Sequence, residues 1–178
     1  FGNTTGAVDC FADGLGSNST LLKIYLSFCY LEDGGLSTLA QTLGSRNTTL
    51  QKLFLGTNYI TSTGLGALLE AMERSSHITD LEIGEDSVGI VRGSRLARSL
   101  GNNALPNLTR LFLHNLGIKD DGFIALVSAL QQNTSLLQLN LRDTHNFFSE
   151  RAFLALAESL PEIKVLQRID LHWCTGLA

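Results

Sequence analysis

The same apolar spacing recurs six times along this chain, restarting after about thirty residues. Its cleanest copy runs Leu50, Leu53, Leu55, Asn58, Ile60, Gly64, Leu68, Met72. A second runs Leu21, Ile24, Leu26, Cys29, Leu31, Gly35, Leu39, Leu43. A fixed period of this length predicts a stacked array, in which each unit buries its apolar side against its neighbours, rather than a globule with one enclosed centre. Most hydrophobic residues are thereby assigned to packing, and function has to be sought among the rest.

The units begin at Leu21, Leu50, Ile78, Leu108, Leu136 and Leu166. Each opens with apolar and variable residues in alternation, which predicts a short half-buried strand. Apolar residues four apart follow, as in Leu39 with Leu43, Leu68 with Met72 and Leu126 with Leu130, and these predict one face of a helix. Asp33, Ser62, Asp120 and Ser149 fall at the predicted helix starts, where short polar side chains cap exposed N–H groups. Gly35, Gly64 and Gly122 lie just inside, where small size lets a helix approach its neighbour. Residues 1–20 read as the helical half of a preceding unit, with Phe11 and Leu15 on its apolar face. In the insertion Asn146-Phe147-Phe148, Phe148 fills the apolar slot and Phe147 has no assigned place.

A strand joined through a helix to the next strand gives parallel pairing. Strands stack about 4.8 Å apart and helices about 8–10 Å apart, so the helix side is wider and the stack must curve. The expectation is an α/β horseshoe-shaped solenoid, with the parallel sheet on the concave face and the helices on the convex one. It is read as a single domain over residues 1–178 and as a segment of a longer array.

A net charge of −4 and a pI near 5.5 argue against a nucleic-acid or anionic-membrane surface. No apolar run approaches the roughly 18 residues that span a bilayer. The three cysteines, Cys10, Cys29 and Cys174, have no paired spacing, which argues for reduced thiols in an intracellular, cytoplasmic setting. Cys29 and Cys174 occupy the place of Asn58 in their units and are expected to pack in the turn after the strand. Five N-x-S/T sequons occur, at Asn3, Asn18, Asn47, Asn107 and Asn133. Asn18, Asn47 and Asn133 recur at one site, the turn from helix to strand, where an asparagine can bond local backbone. The expectation there is a structural asparagine rather than a glycosylated one.

No phosphate-cradling G-x-x-x-x-G-K-[ST] loop, G-x-G-x-x-G, H-E-x-x-H or C-x-x-C occurs, so no cofactor, metal or catalytic centre is expected. The informative residues are those that alternate away from the core on the strands. One column reads Lys23, Lys52, Asp80, Arg110, Gln138, Arg168, and the next Tyr25, Phe54, Glu82, Phe112, Asn140, Asp170. A third reads Ser27, Gly56, Gly84, His114, Arg142, His172, and beyond it lie Phe28 and Trp173. Aromatics beside arginine on a surface that packing does not need have the composition of a binding hot spot. The expected contact residues are Tyr25, Phe28, Phe54, Glu82, Arg110, Phe112, His114, Arg142, His172 and Trp173. The competing reading of the charges is a cross-strand ladder that keeps the sheet soluble.

The stretch Leu50 to Met72 resembles a leucine-rich repeat of the ribonuclease-inhibitor type. The turns Asn47-Thr48-Thr49-Leu50 and Asn133-Thr134-Ser135-Leu136 are similar to those of cytoplasmic members, including the repeat regions of nucleotide-binding immune receptors. That resemblance is specific for fold; the function expected from the rigid concave platform is that of a non-enzymatic module binding a protein partner, with neither nucleic acid nor membrane as ligand. Leu111-Phe112-Leu113-His114-Asn115 is also similar to a strand of the Ran-activating repeat proteins, which would imply a GTPase activator, although Leu116 replaces the expected second asparagine. A structural scaffold in a large assembly is the other alternative.

Overall fold

The computed structural model describes all residues except 1–4, 75–76, 85–90, 143–147, 173 and 175–178; of the described residues, 5 and 91–93 are described by their backbone alone. Helices and strands alternate: α1 Thr5–Ser17, β1 Lys23–Tyr25, α2 Glu32–Ser45, β2 Lys52–Phe54, α3 Ser62–Arg74, β3 Asp80–Gly84, α4 Val91–Gly101, β4 Arg110–His114, α5 Asp120–Leu130, β5 Gln138–Asn140, α6 Glu150–Ser159 and β6 Arg168–Asp170. The six strands form one parallel sheet in the order of the sequence. Each helix packs on the next, from α1 to α6.

The register is the one the spacing predicts. Ile24, Leu53, Leu81, Leu111, Leu139 and Ile169 lie opposite one another across the sheet. The first five are buried, and with Leu55, Ile83, Leu113 and Leu141 they meet the helix residues Leu39, Leu43, Leu68, Met72, Leu126 and Leu130 in one apolar core. Burying each such side chain contributes about 1.5–3 kcal/mol. Phe148 is fully buried and stacks on Phe123, ring centres 4.2 Å apart. Phe11 departs from expectation: it is exposed, and Ala12 and Leu15 with partly buried Val8 form the inner face of α1. At about 100° per residue Phe11 lies at the margin of the stripe set by positions 8, 12 and 15, about 60° from Val8, on the side left open to solvent.

Polar ladders join the units. Asn47 accepts the Thr49 and Leu50 N–H groups through Oδ1, and its Nδ2 donates to the Leu15 and Asn18 carbonyls of the preceding unit. Asn133 repeats this with Ser135, Leu136 and the Leu100 carbonyl. Both are buried. The Nδ2 atom that a glycan would occupy is thus already a donor into the fold.

The acidic residues at the helix starts act across units rather than within their own helix. Asp33 Oδ1 accepts the Thr61 and Gly64 N–H groups, at 2.6 and 3.0 Å, at the entrance of α3, and its Oδ2 accepts the Thr61 hydroxyl. A Cβ on Gly64 would lie 2.5 Å from Asp33 Oδ1, so this cap requires glycine there. Asp120 likewise accepts the Ser149 N–H, at 2.9 Å, and the Ser149 hydroxyl before α6. The expectation that Asp33, Asp120 and Ser149 cap their own helices is corrected accordingly. Helix N–H groups exposed at one unit are satisfied by the carboxylate of the unit before.

Candidate interaction face

One face of the sheet is closed by the helices, and the alternate strand residues stand on the other. Of the three columns read from the sequence, the first two lie in register across all six strands, and the third pairs at Gly84 and His114. Together the three columns hold five of the thirteen cationic residues and three of the seventeen acidic ones. The open face therefore carries +2, and the rest of the chain carries −6 of the net −4.

At the centre of the face the charges are mutually satisfied. The Asp80 side chain is only 5% exposed, and its Oδ1 lies 2.5 Å from Arg110 Nε and 3.9 Å from Lys52 Nζ. Its Oδ2 accepts the Thr79 hydroxyl at 2.7 Å and Arg110 Nη2 at 3.1 Å. A buried carboxylate held this way needs its cations to remain ionised in place, which makes Arg110 a structural partner first. Glu82 leans towards His114, with 3.6 Å between Oε1 and Nε2. His114 lies over Gly84, where a Cβ would meet its ring at 2.5 Å.

The aromatic residues gather at the β1–β2 end. Tyr25 and Phe54 stack face to face, 4.5 Å between ring centres and 18° between planes. Lys23 Nζ stands 4.8 Å from the Tyr25 ring centre and 5.5 Å from that of Phe54. Tyr25 is 64% exposed in spite of the stack. Beyond the strand ends, Phe28 is exposed, and Tyr30 stacks on Tyr59 at 5.2 Å. Phe28, Tyr30, Thr57 and Tyr59 all have left-handed backbone, with φ between 54 and 60°. For non-glycine residues that costs about 1–2 kcal/mol each. The turns are held by backbone bonds, Phe28 N–H to the Gly56 carbonyl and Thr57 N–H to the Gly84 carbonyl, and by buried Asn58. Asn58 donates to the Leu26 and Leu55 carbonyls and accepts from the Cys29 and Leu31 N–H groups.

Of the ten expected contact residues, then, the fold brings Tyr25, Phe54 and Phe28 to one end. Phe112 is half-buried two strands from Phe54, with Glu82 in register between them, so the aromatics do not form one continuous column. Arg142 and His172 are exposed at the β5–β6 end, about 20 Å away by strand spacing. Trp173 lies outside the described residues. Tyr30 and Tyr59 were not among the expected residues. Their signal in the sequence was the recurrence of tyrosine at one unit position, immediately after Cys29 and Asn58.

All three cysteines are free thiols. Cys174 Sγ donates to the Leu141 carbonyl at 3.3 Å as a turn residue, whereas Cys29 is exposed. Among the described residues no group of three or more His, Cys, Asp or Glu could hold a metal ion, and no helix is long and apolar enough to cross a membrane. A cavity of about 230 Å³ is lined by the end of α3 (Met72, Glu73, Arg74), by His77 and Ile78, and by Leu105–Leu108, and no residue of the three columns lines it.

No protein-family model matches the chain, and no curated protein matches it. Among solved structures, it is similar to the C-terminal domain of tropomodulin from Caenorhabditis elegans, with 16% identity and a TM-score of 0.64, over 90% of this chain and 93% of that one. A fragment of leiomodin-1 described as actin-binding site 2 also matches, with 19% identity and a TM-score of 0.46, over 90% of this chain and 76% of that one. The tropomodulin match shows the fold. It corrects the resemblance drawn from the repeat spacing: the fold neighbour is a tropomodulin domain, not a ribonuclease-inhibitor-type leucine-rich repeat protein or an innate-immunity receptor. The reason is physical. The L-x-x-L-x-L spacing and the turn asparagines report how a strand, a turn and a helix pack against their copies.

Proposed function

We propose that this chain is a non-enzymatic protein-interaction module, cytoplasmic, whose partner lies on the open face of the sheet. In this reading the face is concave, because strands spaced by about 4.8 Å adjoin helices spaced by about 8–10 Å. The carrying observation is the Tyr25–Phe54 stack, a large aromatic surface left 64% exposed at Tyr25 on a strand whose inward residue Ile24 is buried in the core. A rigid sheet presents such a surface with little ordering cost on binding. The Tyr30–Tyr59 stack and Phe28 extend it past the strand ends.

The test is affinity capture with the intact protein, comparing wild type with a Tyr25→Ala/Phe54→Ala/Phe112→Ala variant of matched thermal stability. Actin, named for the leiomodin-1 fragment, serves as one defined probe in parallel. Captured proteins are expected to fall at least tenfold in the variant. Equal capture by both forms removes the open face from function.

A further inference from the structure

The open face contains a local electrostatic conflict that the fold does not require. Lys23 and Lys52 stand in register on neighbouring strands, and like charges directly opposite destabilise a sheet pair. Lys52 has Asp80 within 4 Å, shared with Arg110. Among the described residues Lys23 forms no ion pair with a carboxylate. Its ammonium is instead held near the stacked Tyr25 and Phe54 rings, at 4.8 and 5.5 Å, where ring quadrupoles favour a cation. This places the Lys23 ammonium beside an exposed aromatic stack, with Lys52 in register on the neighbouring strand, on the basic face of a chain that is acidic elsewhere.

We propose that the Lys23–Lys52 pair and the Tyr25–Phe54 stack form a subsite for an acidic protein segment, with a partner carboxylate between the two ammonium groups and an adjacent apolar or aromatic side chain against the stack. This rests on the reading of the open face as the interaction surface and names its ligand class. Charge complementarity selects the occupant. Basic and aromatic groups together also suit single-stranded nucleic acid. Here, however, the two rings face each other 4.5 Å apart and so cannot sandwich a base between them, and Asp80 and Glu82 occupy the next positions of the same two columns. An acidic protein segment is the better fit.

The intact protein is titrated with a random poly(Glu,Tyr) copolymer, poly-L-glutamate, poly-L-lysine and oligouridylate, at low and moderate salt. Poly(Glu,Tyr) is expected to bind most tightly, poly-L-glutamate more weakly and the others not measurably. Lys23→Glu is expected to weaken poly(Glu,Tyr) at least tenfold, Lys52→Gln several-fold, and Lys23→Arg to retain binding, all with unchanged circular dichroism. Equal affinity for poly-L-lysine, tighter binding of oligouridylate, or indifference to Lys23→Glu overturns the proposal. The two readings fail separately. If the triple aromatic variant loses its captured partner while Lys23→Glu keeps it, the face stands and the acidic ligand falls; if neither variant changes capture, both fall.

Discussion

The β1–β2 end and the β3–β4 centre of the sheet are built from equivalent positions of the same repeat, yet one is open and the other closed. At the centre, Asp80 is buried between Arg110 and Lys52, and Glu82 turns towards His114 over Gly84. At the β1–β2 end, Lys23 faces Lys52 with no carboxylate of its own among the described residues, and Tyr25 is mostly exposed. The scaffold thus tolerates either solution in one column. Where cross-strand partners satisfy each other the residues serve stability. Where they do not, the free energy given up locally needs an external reason, and a bound partner supplies one.

The largest expected effect breaks the support under the open end. Asn58→Ala removes a buried amide that serves two carbonyls and two N–H groups of the turns around it. Stability should fall by about 3–5 kcal/mol, since each buried polar group left unpaired costs about 1–3 kcal/mol. Urea unfolding measures it, and a loss below about 1 kcal/mol would show that the turns hold without this asparagine. Next comes the closed centre. Arg110→Ala leaves the Asp80 carboxylate with the Thr79 hydroxyl and the more distant Lys52 ammonium, so a loss of about 2–3 kcal/mol is expected, somewhat less than for a fully buried pair stripped of its partner. Partner capture per folded molecule should not change. If Arg110→Ala leaves stability intact but removes binding, the contrast between centre and end is reversed.

These two sites also mark how far the sequence could be read. The strand register, the burial of Phe148 and the structural role of Asn47 and Asn133 were legible because they follow from period and from the bonding habits of asparagine. The placement of Asp80 between Lys52 and Arg110 followed from register alone. The trans caps were not legible. A carboxylate at a helix start has its own helix nearby in sequence, and only the spacing between units sends Asp33 to Thr61 and Gly64. The Tyr30–Tyr59 stack was missed because both residues follow the turn, where strand alternation no longer says which way a side chain points. Family lineage was misread, because packing periodicity carries little of it.

A smaller effect sharpens the open end itself. Tyr25→Ala should cost about 1 kcal/mol or less, the scale of one aromatic pair, because the ring is 64% exposed. Binding to the partner should fall far more than stability. A drop in stability of several kcal/mol would make the stack a structural element and would remove the reason for placing a ligand on it.

The smallest effect concerns a bond between units rather than the face, and it tests whether the caps act across the repeat. The Asp120 carboxyl is held below the ordinary 3.8, first by the Ser149 hydroxyl, then by the Ser149 N–H, with a lesser contribution from the Arg151 charge, against a raising effect of burial. A carboxyl depressed in the folded state stabilises when ionised, so its contribution is complete well above pH 3.8 and is lost as pH falls through the lower folded value. Ser149→Ala removes the largest of these causes. Its cost, read from urea midpoints, should therefore be greatest near neutral pH and shrink as pH falls below 3.8 through the lower folded value, where wild type loses the same ionised interaction. Asp120→Asn should give a flatter pH profile than wild type over the same range. A Ser149→Ala cost that is independent of pH would mean that the hydroxyl only fills space at the entrance of α6, and that the helices are capped from within their own units after all.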